Sequence, residues 1–78
     1  MAKAYLKIEI ETGKEKDVQT ALKKIEGVIS ADFVTGEQDL VALIESDSYE
    51  EIVTKKLNEV RKIQGIHKTI TNFVFEWD

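Results

Sequence analysis

Thr35-Gly36-Glu37-Gln38-Asp39 concentrates the polar chemistry of this chain between two strand-like runs. A hairpin turn needs only the glycine, which takes positive φ without a Cβ clash. The rest offers more. The N–H groups of Gly36 and Glu37 can converge on a carboxylate, as backbone nests do. The Asp39 carboxylate can take an ammonium through charge-assisted hydrogen bonds. Together these groups suit a small zwitterion. The plainer alternative is a turn glycine followed by an aspartate that bonds the turn backbone.

Other polar residues carry weaker signals. Thr69 and Thr71 share one face of a strand and either line the same site with their hydroxyls or fill the strand as β-branched residues. His67 is the only histidine, and its ordinary pKa suits acid–base or pH-sensing work. No serine–histidine–carboxylate arrangement accompanies it, and no second histidine stands at a metal-ligand spacing. Thr12-Gly13-Lys14 precedes a helix start, which attracts anions, but the phosphate-cradling loop pattern is absent. Lys23, Lys24, Lys55 and Lys56 read as solvated helix faces balanced by nearby glutamates. The pattern therefore points to binding, with no catalytic residue, metal site or cofactor expected.

The totals bound the rest. Seventy-eight residues make one small domain, 1–78. A chain of this length buries only about 60% of its unfolded surface, so its core is thin. There is no cysteine to form a disulfide or a thiolate metal site, which favours a reducing compartment, the cytoplasm. A net charge of -4 with a single arginine, Arg61, argues against direct nucleic-acid binding. No apolar run approaches the roughly 18 to 20 residues that span a bilayer.

The elements that must position the turn follow from periodicity. Ala4, Leu6, Ile8 and Ile10 alternate with Tyr5, Lys7, Glu9 and Glu11, predicting a strand over 4–11. Thr12, with Glu15 three places on, predicts a capping box opening a helix whose apolar stripe is Val18, Ala21, Leu22 and Ile25. Residues 28–35 are rich in β-branched residues and predict a second strand. Leu40-Val41-Ala42-Leu43-Ile44 is apolar on both faces, as a central strand is. Asp47 and Ser48 are alternative caps of a second helix, whose stripe is Tyr49, Ile52, Val53, Leu57 and Val60. Residues 66–77 predict the last strand. Lys24-Ile25-Glu26-Gly27-Val28 echoes Lys62-Ile63-Gln64-Gly65-Ile66, each a helix end, a glycine and a strand start.

The order β-α-β-β-α-β, with right-handed crossovers, predicts an α+β ferredoxin-like sandwich. Its four-stranded antiparallel sheet carries two helices on one face. Apolar side chains emerge on both faces of that sheet. Tyr5 faces away from the helices, with either Leu40, Ala42 and Ile44 or Val41 and Leu43. The last strand adds Ile70 and Val74 on one side, and Phe73, Phe75 and Trp77 on the other. Such an uncovered face predicts a second copy packed sheet to sheet as a dimeric α/β barrel. The alternative is a twisted sheet whose aromatics fold over its own edge.

Thr35 to Val41, followed by Gly65-Ile66 and Thr71, resembles the ligand-binding domain of the Lrp/AsnC regulators, the RAM domain, as do Gly13-Lys14-Glu15, Val18 and Leu22. The resemblance covers nearly the whole chain. It implies sheet-to-sheet dimers, octamers or decamers in some cases, and a small effector, commonly an amino acid, held between dimers. It implies ligand contacts at Gly36, Glu37, Gln38 and Asp39, with Thr69 and Thr71 as companions. The family often carries an aromatic residue where Gln38 stands. Its regulators also bear a helix-turn-helix that is not found ahead of the first strand here. This chain therefore resembles a stand-alone form, acting on transcription through full-length Lrp/AsnC regulators. Three other readings remain: an oligomerisation module without ligand, a dimeric α/β-barrel enzyme using His67 or Asp39 as base, and an ACT-type domain binding at Thr12-Gly13.

Overall fold

The computed structural model describes residues 1–75. In order these form β1 (Ala2–Ile10), α1 (Glu15–Lys23), β2 (Val28–Phe33), β3 (Leu40–Ser46), a second helix α2 (49–61) and β4 (Ile66–Val74). The strands build one antiparallel sheet in the order β2-β3-β1-β4. This is the ferredoxin-like arrangement expected from the sequence, with β3 and β1 at the centre. Trp77, expected at the end of the last strand, lies outside the described residues.

Alternation decides which side chains meet the helices. Ala2, Ala4, Leu6, Ile8 and Ile10 of β1 are buried, as are Leu40, Ala42 and Ile44 of β3. They pack beneath Val18 and Leu22 of α1 and Ile52 and Val60 of α2 in one core. Each fully buried Leu or Ile stabilises the fold by about 1.5 to 3 kcal/mol. The set of β3 that faces away is therefore Val41 and Leu43. Register places Leu43 between Ser30 and Tyr5, and Val41 between Asp32 and Lys7. Ile70 pairs with Lys7 and Val74 with Lys3, so both join the helix-free face. That face has a half-buried apolar centre and a charged surround, with Lys3 and Glu45 3.8 Å apart on it.

Phe73 pairs with Ala4 and so takes the helix side. The Tyr49 ring meets the Phe73 ring edge-on at 5.5 Å and the Phe75 ring at 5.8 Å. The Tyr49 hydroxyl donates to the Val74 carbonyl at 2.7 Å. At the opposite sheet edge, Gln19 Nε2 donates to the Ala31 carbonyl at 2.8 Å. Each edge strand thus has one carbonyl capped by a helix side chain, which blunts its use as a template for further strands.

Helix termini depart from the expectation at one end and meet it at the other. Thr12 does not cap α1. The helix starts at Glu15, whose Oε1 turns back to accept the Gly13 N–H at 2.9 Å. Thr12 and Gly13 are spent on the turn that follows β1. Of the two candidate caps of α2, Ser48 is the one used, its hydroxyl accepting the Glu51 N–H at 3.1 Å. Ser48→Ala should cost about 1 kcal/mol. That corresponds to a melting temperature about 4 to 8 °C lower for a domain of this size, read by thermal unfolding.

α2 is not a regular α-helix. Tyr49–Glu51 and Leu57–Arg61 are α-helical, and Ile52–Lys56 between them is a π turn in which the Ile52 carbonyl accepts from the Leu57 N–H. The wider turn displaces backbone partners, and side chains replace them. Thr54 Oγ1 donates to the Glu50 carbonyl at 2.9 Å, and Asn58 Nδ2 to the Thr54 carbonyl at 2.6 Å. The turn also re-aims the stripe. Val53, expected inside, is 47% exposed, and Lys56, expected in solvent, is 7% exposed. Lys56 falls four residues after Ile52 and four before Val60, both buried, so it occupies a core-facing position of the helix. Lys23, Lys24 and Lys55 are exposed as expected.

Candidate effector site

The turn between β2 and β3 spans 34–39 and is closed by the Val34 N–H donating to the Asp39 carbonyl at 3.0 Å. Gly36 sits at φ 115°, where its lack of a Cβ is required. The turn is tied to the central strand rather than hanging free. Asp39 N–H donates to the Ile8 carbonyl at 3.0 Å, and the Ile10 N–H donates to Asp39 Oδ2 at 2.8 Å. The last β1–β3 pair is Ile8 with Leu40, so beyond it the Asp39 carboxylate stands in for a missing strand partner. The Asp39 side chain therefore bonds the neighbouring strand's backbone, and not the turn's own.

This arrangement holds Asp39 in place and leaves capacity. Among the described residues, no donor reaches Asp39 Oδ1, and neither the Gly36 nor the Glu37 N–H has a protein acceptor. Gln38 is half-buried, and Gly36, Glu37 and Asp39 are exposed. The same turn thus carries two free backbone donors and one free carboxylate oxygen, groups of the kinds that receive a carboxylate and an ammonium.

Thr69 and Thr71 pair with Ile8 and Leu6, so they share one face of β4 on the helix side. Thr69, Ile8 and Leu40 form a row across three strands. With strands about 4.8 Å apart, Thr69 stands about 10 Å from Leu40 with β1 between them. Within one chain the threonines and the turn are at the same end of the sheet but on opposite sides of β1. Two hollows open among the described residues, one beside Lys56 and one between the helices, and neither is lined by any of these six residues.

His67 is exposed and lies at an irregularity of β4, where the register slips between Glu9 paired with Lys68 and Ile10 paired with Ile66. No group of histidine and acidic side chains able to hold a metal ion occurs among the described residues. No helix among them is long and apolar enough to cross a membrane.

What sequence reasoning missed is the role of β1. Ile10 contributes through its backbone, and no residue type marks that. The glycine loops, in contrast, behave as the internal echo suggested. The Gly27 carbonyl accepts from the Glu45 N–H at 2.8 Å, and the Gly65 carbonyl from the Glu11 N–H at 2.7 Å, each tying a helix exit to the end of a central strand.

With this geometry in hand, three comparisons bear on the chain. Residues 3–76 match the family model described as the Lrp/AsnC ligand binding domain. No curated protein matches the sequence. Among solved structures, TTHA0845 from Thermus thermophilus aligns with a TM-score of 0.91 at 24% identity, over 100% of this chain and 98% of that one. The hypothetical protein PHS023 from Pyrococcus horikoshii gives 0.88 at 27% identity, over 99% and 93%. The transcriptional regulator NMB0573 from Neisseria meningitidis, solved as a complex with L-Met, gives 0.72 at 20% identity, over 96% of this chain and 50% of that one. The first and third of these attest a shared fold.

Proposed function

The chain belongs to the Lrp/AsnC ligand-binding-domain family, and from that premise we propose that it is an effector-binding and oligomerisation domain that senses a small metabolite, most simply an amino acid. In this reading the Gly36 and Glu37 N–H groups hold the effector carboxylate and Asp39 Oδ1 holds its ammonium. Gln38, Thr69 and Thr71 discriminate among side chains. The observation that carries the reading is a turn with two free backbone donors whose aspartate is anchored by Ile10 through one oxygen and free at the other. The L-Met complex of NMB0573 supports the same ligand class.

The separation of the turn from the threonines bears on assembly. One free amino acid cannot bridge about 10 Å and an intervening strand, so the six residues act together only when one copy supplies the turn and another the threonines. The binding site is then a seam between copies, and the effector stabilises whichever assembly completes it. The copies pair through the helix-free sheet face, and pairs associate further into octamers or decamers. In the cytoplasm such assemblies join full-length Lrp/AsnC regulators and alter transcription without direct DNA contact.

A thermal-shift screen against the common amino acids is the first test, because a ligand that binds only the folded chain raises its melting temperature. Asp39→Asn then separates structure from recognition, since it keeps an oxygen for the Ile10 N–H and removes the charge. A hydrogen bond to a charged group contributes about 1.5 to 3 kcal/mol, so affinity for the effector found in the screen falls at least about tenfold. The unliganded melting temperature changes little. Unchanged affinity by calorimetry rules the turn out, and a screen with no shift leaves an oligomerisation module.

A further inference from the structure

The two glycine loops make pseudo-equivalent corners, each met by a different helix. At Gly65 a Cβ would stand 2.8 Å from Lys14 Cβ and 3.2 Å from Val18 Cγ2, so α1 packs directly against the loop. At Gly27 the side-chain neighbour is Lys56, whose Cε and Nζ would stand 3.3 and 3.6 Å from a Cβ placed there. α2 is about one turn longer than α1, and Lys56, the last residue of its π turn, lies at this corner. Beside it opens a hollow of about 460 Å³, within the range that small-ligand sites occupy. π turns recur at functional sites because they break helix regularity at a backbone cost that a regular helix avoids.

Lys56 is the unusual group there. Its side chain is only 9% exposed, and among the described residues its ammonium makes no hydrogen bond. The nearest carboxylate is Glu26 at 4.0 Å, on a side chain that is 98% exposed. The stem is the buried part, and the ammonium at its end reaches the hollow with only a solvated, distant partner. Around it stand Glu51 and Asp47, and Glu51 accepts the Ser46 hydroxyl. Val28 and the exposed Ile29 supply an aliphatic wall.

These charges select by sign. A simple anion would meet Lys56 but also the surrounding carboxylates. A simple cation would meet the carboxylates but also Lys56. A ligand carrying both charges satisfies both sets. We propose that this hollow is a second ligand site, separate from the β2–β3 turn and independent of its assignment, for a small zwitterion with an aliphatic body. Its anionic group lies on Lys56, its ammonium on Glu51 and Asp47, and its hydrocarbon against Val28 and Ile29.

The test uses the full chain and three probes of one shape: L-leucine with both charges, isocaproate with only the carboxylate, and isoamylamine with only the ammonium. Calorimetry should find leucine binding, with each single-charge probe weaker by about tenfold or more, the effect of one lost charged hydrogen bond. Lys56→Gln and Glu51→Gln should each weaken leucine by a similar factor, and Lys56→Arg should retain more affinity than Lys56→Gln. A Lys56 with a merely structural role would lower the melting temperature of the free chain and leave leucine affinity alone, which overturns the proposal. So do a single-charge probe that equals leucine and the absence of leucine binding at millimolar concentration. A leucine signal lost in Asp39→Asn and kept in Lys56→Gln belongs to the turn and also overturns it.

Discussion

Gly27→Ala should melt about 10 to 25 °C below the parent chain, the lower end alone exceeding the loss of the Ser48 cap. Two costs combine. Gly27 has φ 98°, outside the regions that L residues favour, and holding a non-glycine residue in such a conformation costs about 1 to 3 kcal/mol. The added methyl carbon would also lie 2.6 Å from the Glu45 carbonyl oxygen. That oxygen belongs to the backbone of β3, so it cannot swing aside as a flexible side chain would. Relief requires moving the loop, which stretches the 2.8 Å bond from the Glu45 N–H to the Gly27 carbonyl. The sum of about 2 to 4 kcal/mol is a large share of the 5 to 15 kcal/mol that holds a typical domain together. Gly36→Ala is the control. Gly36 has φ 115°, but nothing lies within 4 Å of a Cβ built there, so only the conformational cost applies. Thermal unfolding of both variants, with equal losses, would show that the collision at Gly27 contributes nothing.

The elements that were legible in the sequence are those whose burial follows a simple period. β1 has one buried and one open face, and its residues alternate accordingly from Ala2 to Ile10. β3 is central, with Leu40, Ala42 and Ile44 buried under the helices and Val41 and Leu43 half-buried on the other face, so every position from Leu40 to Ile44 is apolar. The glycine echo was legible because a helix exit with positive φ has few chemical solutions. α2 was the least legible, for a physical reason. Its apolar stripe assumes a constant turn of 3.6 residues, and the π turn breaks that assumption between Ile52 and Lys56. Thr54 and Asn58 make the break tolerable, yet both also read as ordinary surface residues. Thr12 misled because a capping pair needs the chain to enter the helix at once, and here a two-residue turn intervenes.

The candidate site was legible in type and not in geometry. A glycine and an aspartate three residues apart can be read off the chain, but the anchoring of Asp39 by Ile10 depends on where β1 outruns β3. The distance between the turn and Thr69 depends on β1 lying between β3 and β4. Strand order is a long-range property, and residue types alone carry little of it.

The helix-free face yields the last and largest expectation. Leu43→Lys should convert an assembled species to monomers while leaving the fold intact. Leu43 and Tyr5 are cross-strand partners at the centre of that face, with Asp32, Lys7, Lys3 and Glu45 around them. An apolar centre ringed by charges of both signs is the anatomy of an interface, and two copies related by a two-fold axis bring the same patch together. Each leucine buried there contributes about 1.5 to 3 kcal/mol, and two-fold symmetry counts it twice, so the substitution removes about 3 to 6 kcal/mol of association energy, or roughly two to four decades in Kd. In a lone chain Leu43 is half-buried on the helix-free face of a central strand, where a lysine stem lies flat and its ammonium reaches water, so circular dichroism should be unchanged. Val53→Lys places the same chemistry on the exposed side of α2, where Val53 is 47% exposed, and should leave the particle size alone. Sedimentation velocity across a dilution series separates the outcomes. A Leu43→Lys protein that sediments as the parent does would mean that this face is not where copies meet, and the shared turn-and-threonine site would have to be sought at another surface.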